Sequence, residues 1–299
     1  MQYHHNIESR WTNRLKAGES PNDEDLRDHL QVVHKQYPGF TECCAMHSFD
    51  ASGRNTYEVL ADVFEPKLHS RVLDLACGGG VLLEMCLKRA GQKCDLIGVD
   101  MSHEELDLAR SRNKESSIEF YQGIAQDLHF IADRTIDVVL CHWALTLMDQ
   151  VPAVLKEIGR ILKPNGIFAA IVDGDPLTAD GYADVNNIIY KAAKNEFQNY
   201  DGIELGDPRV RSAQSLVDLI NECMKGVFVS IEPSVFFLHG TPELLARQVS
   251  GFFYASFILG PAEHSRVLKE LEALFASQKQ GNRCSFSLPV NKLIIRQQP

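Results

Sequence analysis

The sequence has no apolar run approaching the roughly 20 residues that a membrane-crossing helix needs, and no apolar N-terminal signal region. A soluble cytoplasmic protein is the expectation. It also has no Lys/Arg-rich run, and its 40 acidic residues outnumber 30 basic ones for a formal charge of −10. That balance opposes nonspecific binding to phosphate backbones, so DNA and bulk RNA are not expected partners, whereas charge alone leaves a protein or a structured RNA open. The eight cysteines form no C-x-x-C pair and the histidines no H-x-x-x-H pair. Scattered cysteines in a chain of this length read as reduced thiols rather than a disulfide framework. Adjacent Cys43 and Cys44 lack the second clustered pair that a metal site requires, and no metal is expected.

What is present is a strand–helix rhythm. Residues 1 to about 50 are polar and partly helical, from Asp23 to Gln36, with a break at Pro38-Gly39. They are expected to form a lid. From about 51 to 175, apolar strand patterns alternate with helical ones, the order that gives a parallel sheet covered on both faces. Ser102-His103-Glu104-Glu105 reads as a capping box, and Asp149 with Pro152 as another helix start. After Asp175 come helical stretches over 182–197 and 213–224, an alternating strand over 227–238, a long helical segment over 241–278 and a last strand over 285–296. A main domain over 51–299, with cap segments at about 176–225 and 241–278, is the expected organisation.

The densest signal is Arg71-Val72-Leu73-Asp74-Leu75-Ala76-Cys77-Gly78-Gly79-Gly80. It is a short apolar strand running through an acid into a glycine turn, with a helical pattern from Val81 to Ala90 behind it. Such a turn lets the backbone pass close to a ligand and leaves amides free at a helix N-terminus. Counting G-x-G-x-x-G from Gly78 and Gly80 puts Leu83 at the third glycine, which argues against a dinucleotide fingerprint. The next buried strand, Leu96-Ile97-Gly98-Val99-Asp100, ends on a carboxylate placed to accept ribose hydroxyls.

Asp74 to Gly80 together with Gly98-Val99-Asp100-Met101-Ser102 resembles the first two motifs of class I S-adenosylmethionine-dependent methyltransferases. Further segments match in order. Gly123-Ile124-Ala125-Gln126-Asp127-Leu128-His129-Phe130 resembles the adenine-binding motif, with Ile124 in place of the usual Asp, so that Gln126 or Asp127 is left to read adenine N6. Ile136 to Leu145 resembles the fourth strand and its exit beside the transferable methyl. Leu162-Lys163-Pro164-Asn165-Gly166 resembles the Leu-Lys-Pro-Gly-Gly turn into the fifth strand. Ala76 stands where the family has its first glycine, a change compatible with a negative φ. The resemblance implies an α/β fold with a Rossmann-like seven-stranded, mostly parallel sheet, and S-adenosyl-L-methionine as cofactor. It implies cofactor contacts from Asp74, Ala76, Cys77, Gly78, Gly80, Asp100, Met101, Ala125, Gln126, Asp127 and His142.

A methyl transfer to a small-molecule acceptor follows, the atom methylated being unresolved between O, N and C. Where the acceptor must lose a proton, His142 is the first candidate for general base and Tyr254 the second; a structural histidine and a packed tyrosine are the alternatives. Asp173 and Asp175, after the fifth strand, are either solvated carboxylates or groups for a substrate cation. Arg209 and Arg211 either anchor a carboxylate or offset the acidic surface. Trp11, Tyr254 and Arg211 are candidates to line an acceptor pocket. A noncatalytic cofactor-binding module and a nicotinamide-dependent oxidoreductase are the competing readings.

Overall fold

The computed structural model describes residues 7–90, 93–200, 206–278 and 283–298. In chain order the first elements are α1 (Arg10–Lys16), α2 (Asp23–Gln36), α3 (Glu42–His47), β1 (Ser48–Phe49), α4 (Thr56–Ala61), β2 (Arg71–Leu75), α5 (Val81–Ala90), β3 (Asp95–Asp100), α6 (His103–Arg112), β4 (Glu119–Gln122) and β5 (Ile136–His142). They are followed by α7 (Val151–Ile161), β6 (Leu162–Asp173), α8 (Tyr182–Glu196), α9 (Ala213–Cys223), β7 (Val227–Gly240), α10 (Pro242–Phe252), α11 (Ala255–Ile258), α12 (Pro261–Ser277) and β8 (Cys284–Gln297). The chain divides into two compact units, one of residues 1–55, 175–205 and 235–289, the other of residues 56–174, 206–234 and 290–299. The second holds the glycine turn and residues 206–234; the first gathers the N-terminal segment with residues 235–289.

The strands hydrogen-bond in the order β1-β7-β8-β6-β5-β2-β3-β4. The pairs β2–β3, β2–β5, β3–β4 and β5–β6 are parallel and β6–β8 is antiparallel. Eight strands stand where seven were expected. The addition is the two-residue β1, paired with β7 through Ser48↔Leu238 and Phe49↔Phe237, too short to leave a periodicity in the sequence. The order reverses at β2, between β3 and β5, and in open α/β sheets ligands bind beyond the strand ends at such a switch point.

In the second unit the interior strands are apolar on both faces, as parallel strands sandwiched by helices must be. Val72, Leu73, Val138, Val139 and Leu140 have no exposed surface. Helix α7 covers one face with Val151, Val154, Leu155, Ile158 and Ile161, all fully buried, the i, i+3, i+4 stripe of an amphipathic helix. Gly98 lies where a Cβ would meet Cys77 Sγ at 2.8 Å, Phe120 at 2.8 Å and Leu83 at 2.9 Å. Only glycine lets the turn and α5 seat this closely on β3.

In the first unit, α10 packs on α12 and α12 on α8. The helical segment expected over 241–278 is broken into α10, α11 and α12; the break falls at Tyr254, with φ +61°. An aromatic cluster fills the unit, with Phe40 edge-on to Tyr254 at 5.4 Å and to Phe257 at 4.9 Å.

Candidate functional site

The site is built on the C-terminal ends of β2, β3, β4 and β5 in the second unit. The turn after β2 carries three left-handed residues, Ala76 (φ +58°), Gly78 (φ +50°) and Gly80 (φ +78°). For Ala76 this corrects the expected negative φ: the methyl group is held in a conformation that L-residues adopt at a cost of about 1–2 kcal/mol. The turn's amides are also less free than expected. Cys77 N–H donates to Val99 O (3.0 Å), Gly80 N–H to Cys77 O (2.9 Å) and Gly78 N–H to Asp100 Oδ2 (2.9 Å).

Asp100, 9% exposed, thus ties the turn to β3. Its other oxygen accepts Ser102 N–H at 2.8 Å, while Ser102 Oγ accepts Glu105 N–H and caps α6. Asp74 differs from it. At 1% exposure its Oδ1 has no hydrogen-bond partner among the described residues. Burial, with the Asp100 charge adding to it, pushes the Asp74 carboxyl well above the usual carboxylate range. A buried acceptor without a donor is costly, and a ligand bringing a donor or a positive charge to Asp74 removes that cost. The residues present therefore fit a cationic, ribose-bearing cofactor. Burial likewise raises the Cys77 thiol, which donates weakly to Gly78 O; Cys77 is a spacer that holds the turn on β3.

Beyond β4, Ala125 is buried and Gln126 half-buried. Gln126 Nε2 donates to Asp149 O at 2.8 Å and to Asp149 Oδ1 at 2.7 Å. Asp127 is exposed and accepts from His129 N (3.2 Å), with His129 Nδ1 at 3.0 Å. Met101 O accepts from Gln122 Nε2 at 3.1 Å. The expected cap at Asp149 is corrected: the N-cap of α7 is Gln150, at φ +48° with no side-chain cap bond, and Asp149 takes Gln126 instead. The left-handed Gln150 occupies the cap position, so Asp149 stands one residue outside it.

At the end of β5, His142 Nε2 lies 2.9 Å from Thr56 Oγ1 and its ring stacks on Tyr57 at 3.7 Å and 16°. Burial lowers its pKa to about 3. A general base works best with a pKa near the operating pH, so this environment makes His142 a neutral hydrogen-bonding ring with little basicity. Thr56 and Tyr57, which the sequence reading did not single out, position it; no motif marked them. Trp143 follows with φ +51°, its amide donating to Ile171 O at 2.9 Å. Burial raises the Asp173 carboxyl, against the opposing effects of Arg211 and a hydrogen bond from Trp143. Asp175 caps a short turn by accepting Leu177 N–H at 2.9 Å, and Arg209 pairs with Asp207 at 2.6 Å. Tyr254 belongs to the first unit, where it lines a small apolar pocket with Trp11, His29, Tyr200 and Phe253. Arg211 belongs to the second unit. Among the described residues no group of three or more His, Cys, Asp and Glu side chains could hold a metal ion, and no helix is long and apolar enough to cross a membrane.

Residues 73–170 match the family model described as a methyltransferase domain. The demethylmenaquinone methyltransferase of Lactobacillus johnsonii is 35% identical over 108 residues, 35% of this chain and 44% of that protein. The ubiquinone biosynthesis O-methyltransferase of Aliivibrio fischeri is 35% identical over 101 residues, 32% of this chain and 41% of that protein. The chain spans about half the length of the curated relatives it matches. Among solved structures, phosphoethanolamine N-methyltransferase 2 of Haemonchus contortus, solved with phosphomonomethylethanolamine and S-adenosylhomocysteine, superposes with TM-score 0.54 at 13% identity. It covers 93% of this chain and 60% of that one, a likeness of fold.

Proposed function

We propose, from the match of residues 73–170 to a methyltransferase domain, that the protein transfers a methyl group from S-adenosylmethionine to a small-molecule acceptor by in-line displacement. The observation that carries the reading is Asp74 Oδ1, buried with no hydrogen-bond partner among the described residues on the strand that leads into the glycine turn, at the sheet's switch point. When bound, the cofactor supplies a methyl group already activated on a sulfonium. The protein's own residues then have to bind, orient and exclude water. Asp100 accepts the ribose hydroxyls, Asp74 faces the cofactor's positive end, and Ala125 with Gln126 borders the adenine. His142, held by Thr56 and Tyr57, forms the wall beside the reacting centre. Positioning of this kind supplies several kcal/mol of barrier lowering without a covalent intermediate.

The acceptor class follows the relatives, whose names point to quinone-type substrates; the atom methylated is left unassigned. Residues 1 to about 50 and the cap segments are proposed to govern acceptor choice. Trp11→Ala should then lower turnover more than cofactor affinity. The nicotinamide reading is disfavoured by Leu83, fully buried and within contact distance of a Cβ at Gly98, where a dinucleotide fingerprint would have its third glycine.

The test is calorimetry with S-adenosylmethionine, S-adenosylhomocysteine and NADH, followed by transfer of a labelled methyl group into quinone and phenol pools. Asp100→Ala should weaken cofactor binding by on the order of 1.5–3 kcal/mol per lost charged hydrogen bond. Unchanged affinity in a folded variant removes Asp100 from the site. Cofactor binding without turnover on any pool would favour the noncatalytic module.

A further inference from the structure

Asp149 makes a contact whose consequence is directional. Gln126 Nε2 donates both to the main-chain oxygen of Asp149 (2.8 Å) and to its Oδ1 (2.7 Å). Both partners are acceptors, so the amide has one satisfactory orientation: nitrogen toward Asp149, Oε1 turned away from it. The reversed amide would set a carbonyl oxygen against two oxygens. Asp149 is 7% exposed and stands immediately before α7. The main chain beneath Gln126 is also anchored. Leu128 N–H donates to Glu157 Oε2 at 2.8 Å, and Arg160 donates to Leu128 O at 2.9 Å and to Ile131 O at 2.8 Å. Backbone and side chain are therefore fixed by separate sets of bonds, the first from α7 and the second from Asp149.

We propose that Asp149 is a positioning residue that turns the Gln126 amide oxygen toward the exocyclic amine of a 6-aminopurine, so that discrimination against a 6-oxopurine depends on a carboxylate that does not touch the base. The proposal rests on the reading of this site as an S-adenosylmethionine site. A glutamine free to flip presents nitrogen or oxygen and tolerates either purine. One held by Asp149 presents only an acceptor, which pairs with an amine and opposes a carbonyl oxygen. One such hydrogen bond is a difference of about tenfold in affinity.

Isothermal titration of the full chain with S-adenosylhomocysteine and S-inosylhomocysteine tests this in the unsubstituted protein and in Asp149→Leu, Asp149→Asn and Gln126→Leu, with thermal melts to check folding. The unsubstituted protein should favour the adenine ligand by about tenfold. Asp149→Leu leaves only the main-chain acceptor and should lower that preference by about threefold or more, and Gln126→Leu should lower it at least as far. Asp149→Asn, whose Oδ1 still accepts from Gln126, should keep it. A purely structural role would weaken both ligands equally and leave the ratio unchanged; that outcome in Asp149→Leu overturns the proposal while the cofactor reading stands. Absence of S-adenosylhomocysteine binding to the unsubstituted protein overturns both.

Discussion

Asp74 sets one prediction at the scale of a single residue. Its carboxyl is raised above the ordinary value of 3.8 by burial and by Asp100, so between 3.8 and the raised value the folded protein holds a proton that the unfolded chain has lost. Asp74's contribution to stability is therefore fully present below about pH 3.8 and is lost as pH rises through the folded value. Asp74→Asn removes the titration. Its melting temperature relative to the unsubstituted protein should rise with pH, while affinity for a cationic cofactor drops on the order of tenfold or more. A pH-independent melting difference would show that Asp74 does not titrate in this way. Two residues along, Ala76 sits at φ +58°. Ala76→Gly relieves left-handed strain against a larger unfolded-state entropy, so chemical denaturation should find the variant more stable by up to about 1 kcal/mol. The acid before the glycines and the acid ending β3 were both legible in the sequence, because each is a polar residue in an apolar run. The sign of φ at Ala76 was not, since the turn's hydrogen bonds to Val99 and Asp100, remote in sequence, impose it.

Elements were legible wherever the pattern is local. Helices α2 and α5 begin and end where polarity and periodicity place them, and Ser102 caps α6 through Glu105 N–H as its spacing implies. Pro152 lies in the first turn of α7 as its position implies, but the cap is Gln150 and not Asp149; Asp149 has two possible employers, a helix terminus and Gln126, and only the fold brings the second within 2.7 Å. The short strand β1 and the supports of His142 were also out of reach. Thr56 Oγ1 meets His142 Nε2 across 86 residues of chain, and no periodicity encodes such a contact. Gly98 tests how β3 and the turn are joined. A Cβ there meets three atoms at 2.8–2.9 Å, so Gly98→Ala must displace Cys77, Phe120 or Leu83 and should cost about 1–3 kcal/mol of stability. Because the displaced Cys77 belongs to the turn, cofactor affinity should fall with it. Denaturant unfolding and calorimetry on the same variant check both effects.

For the whole molecule, acid response joins features that lie in different units. His29, in the first unit, is 1% exposed; its Nδ1 lies 2.9 Å from Ser9 Oγ and its ring centroid 4.9 Å from that of Trp11. Burial lowers its pKa from 6.5 to about 4, and burial lowers that of His142 in the second unit from 6.5 to about 3. Both side chains are neutral when folded, and both gain a proton on unfolding at mildly acidic pH. Stability carried by these groups is therefore present above about pH 6.5 and is lost as pH falls toward 4 and 3, the reverse of the Asp74 effect. The lowering at His29 corresponds to about 3 kcal/mol. His29→Asn keeps a polar group near Ser9 and removes the titration. The variant should melt lower than the unsubstituted protein at pH 7.5, because a buried ring is lost beside Trp11, yet its melting temperature should decline less between pH 7 and pH 5. Parallel melting curves for the two proteins across that range would mean that His29 takes up its proton as readily in the folded state as in the unfolded chain.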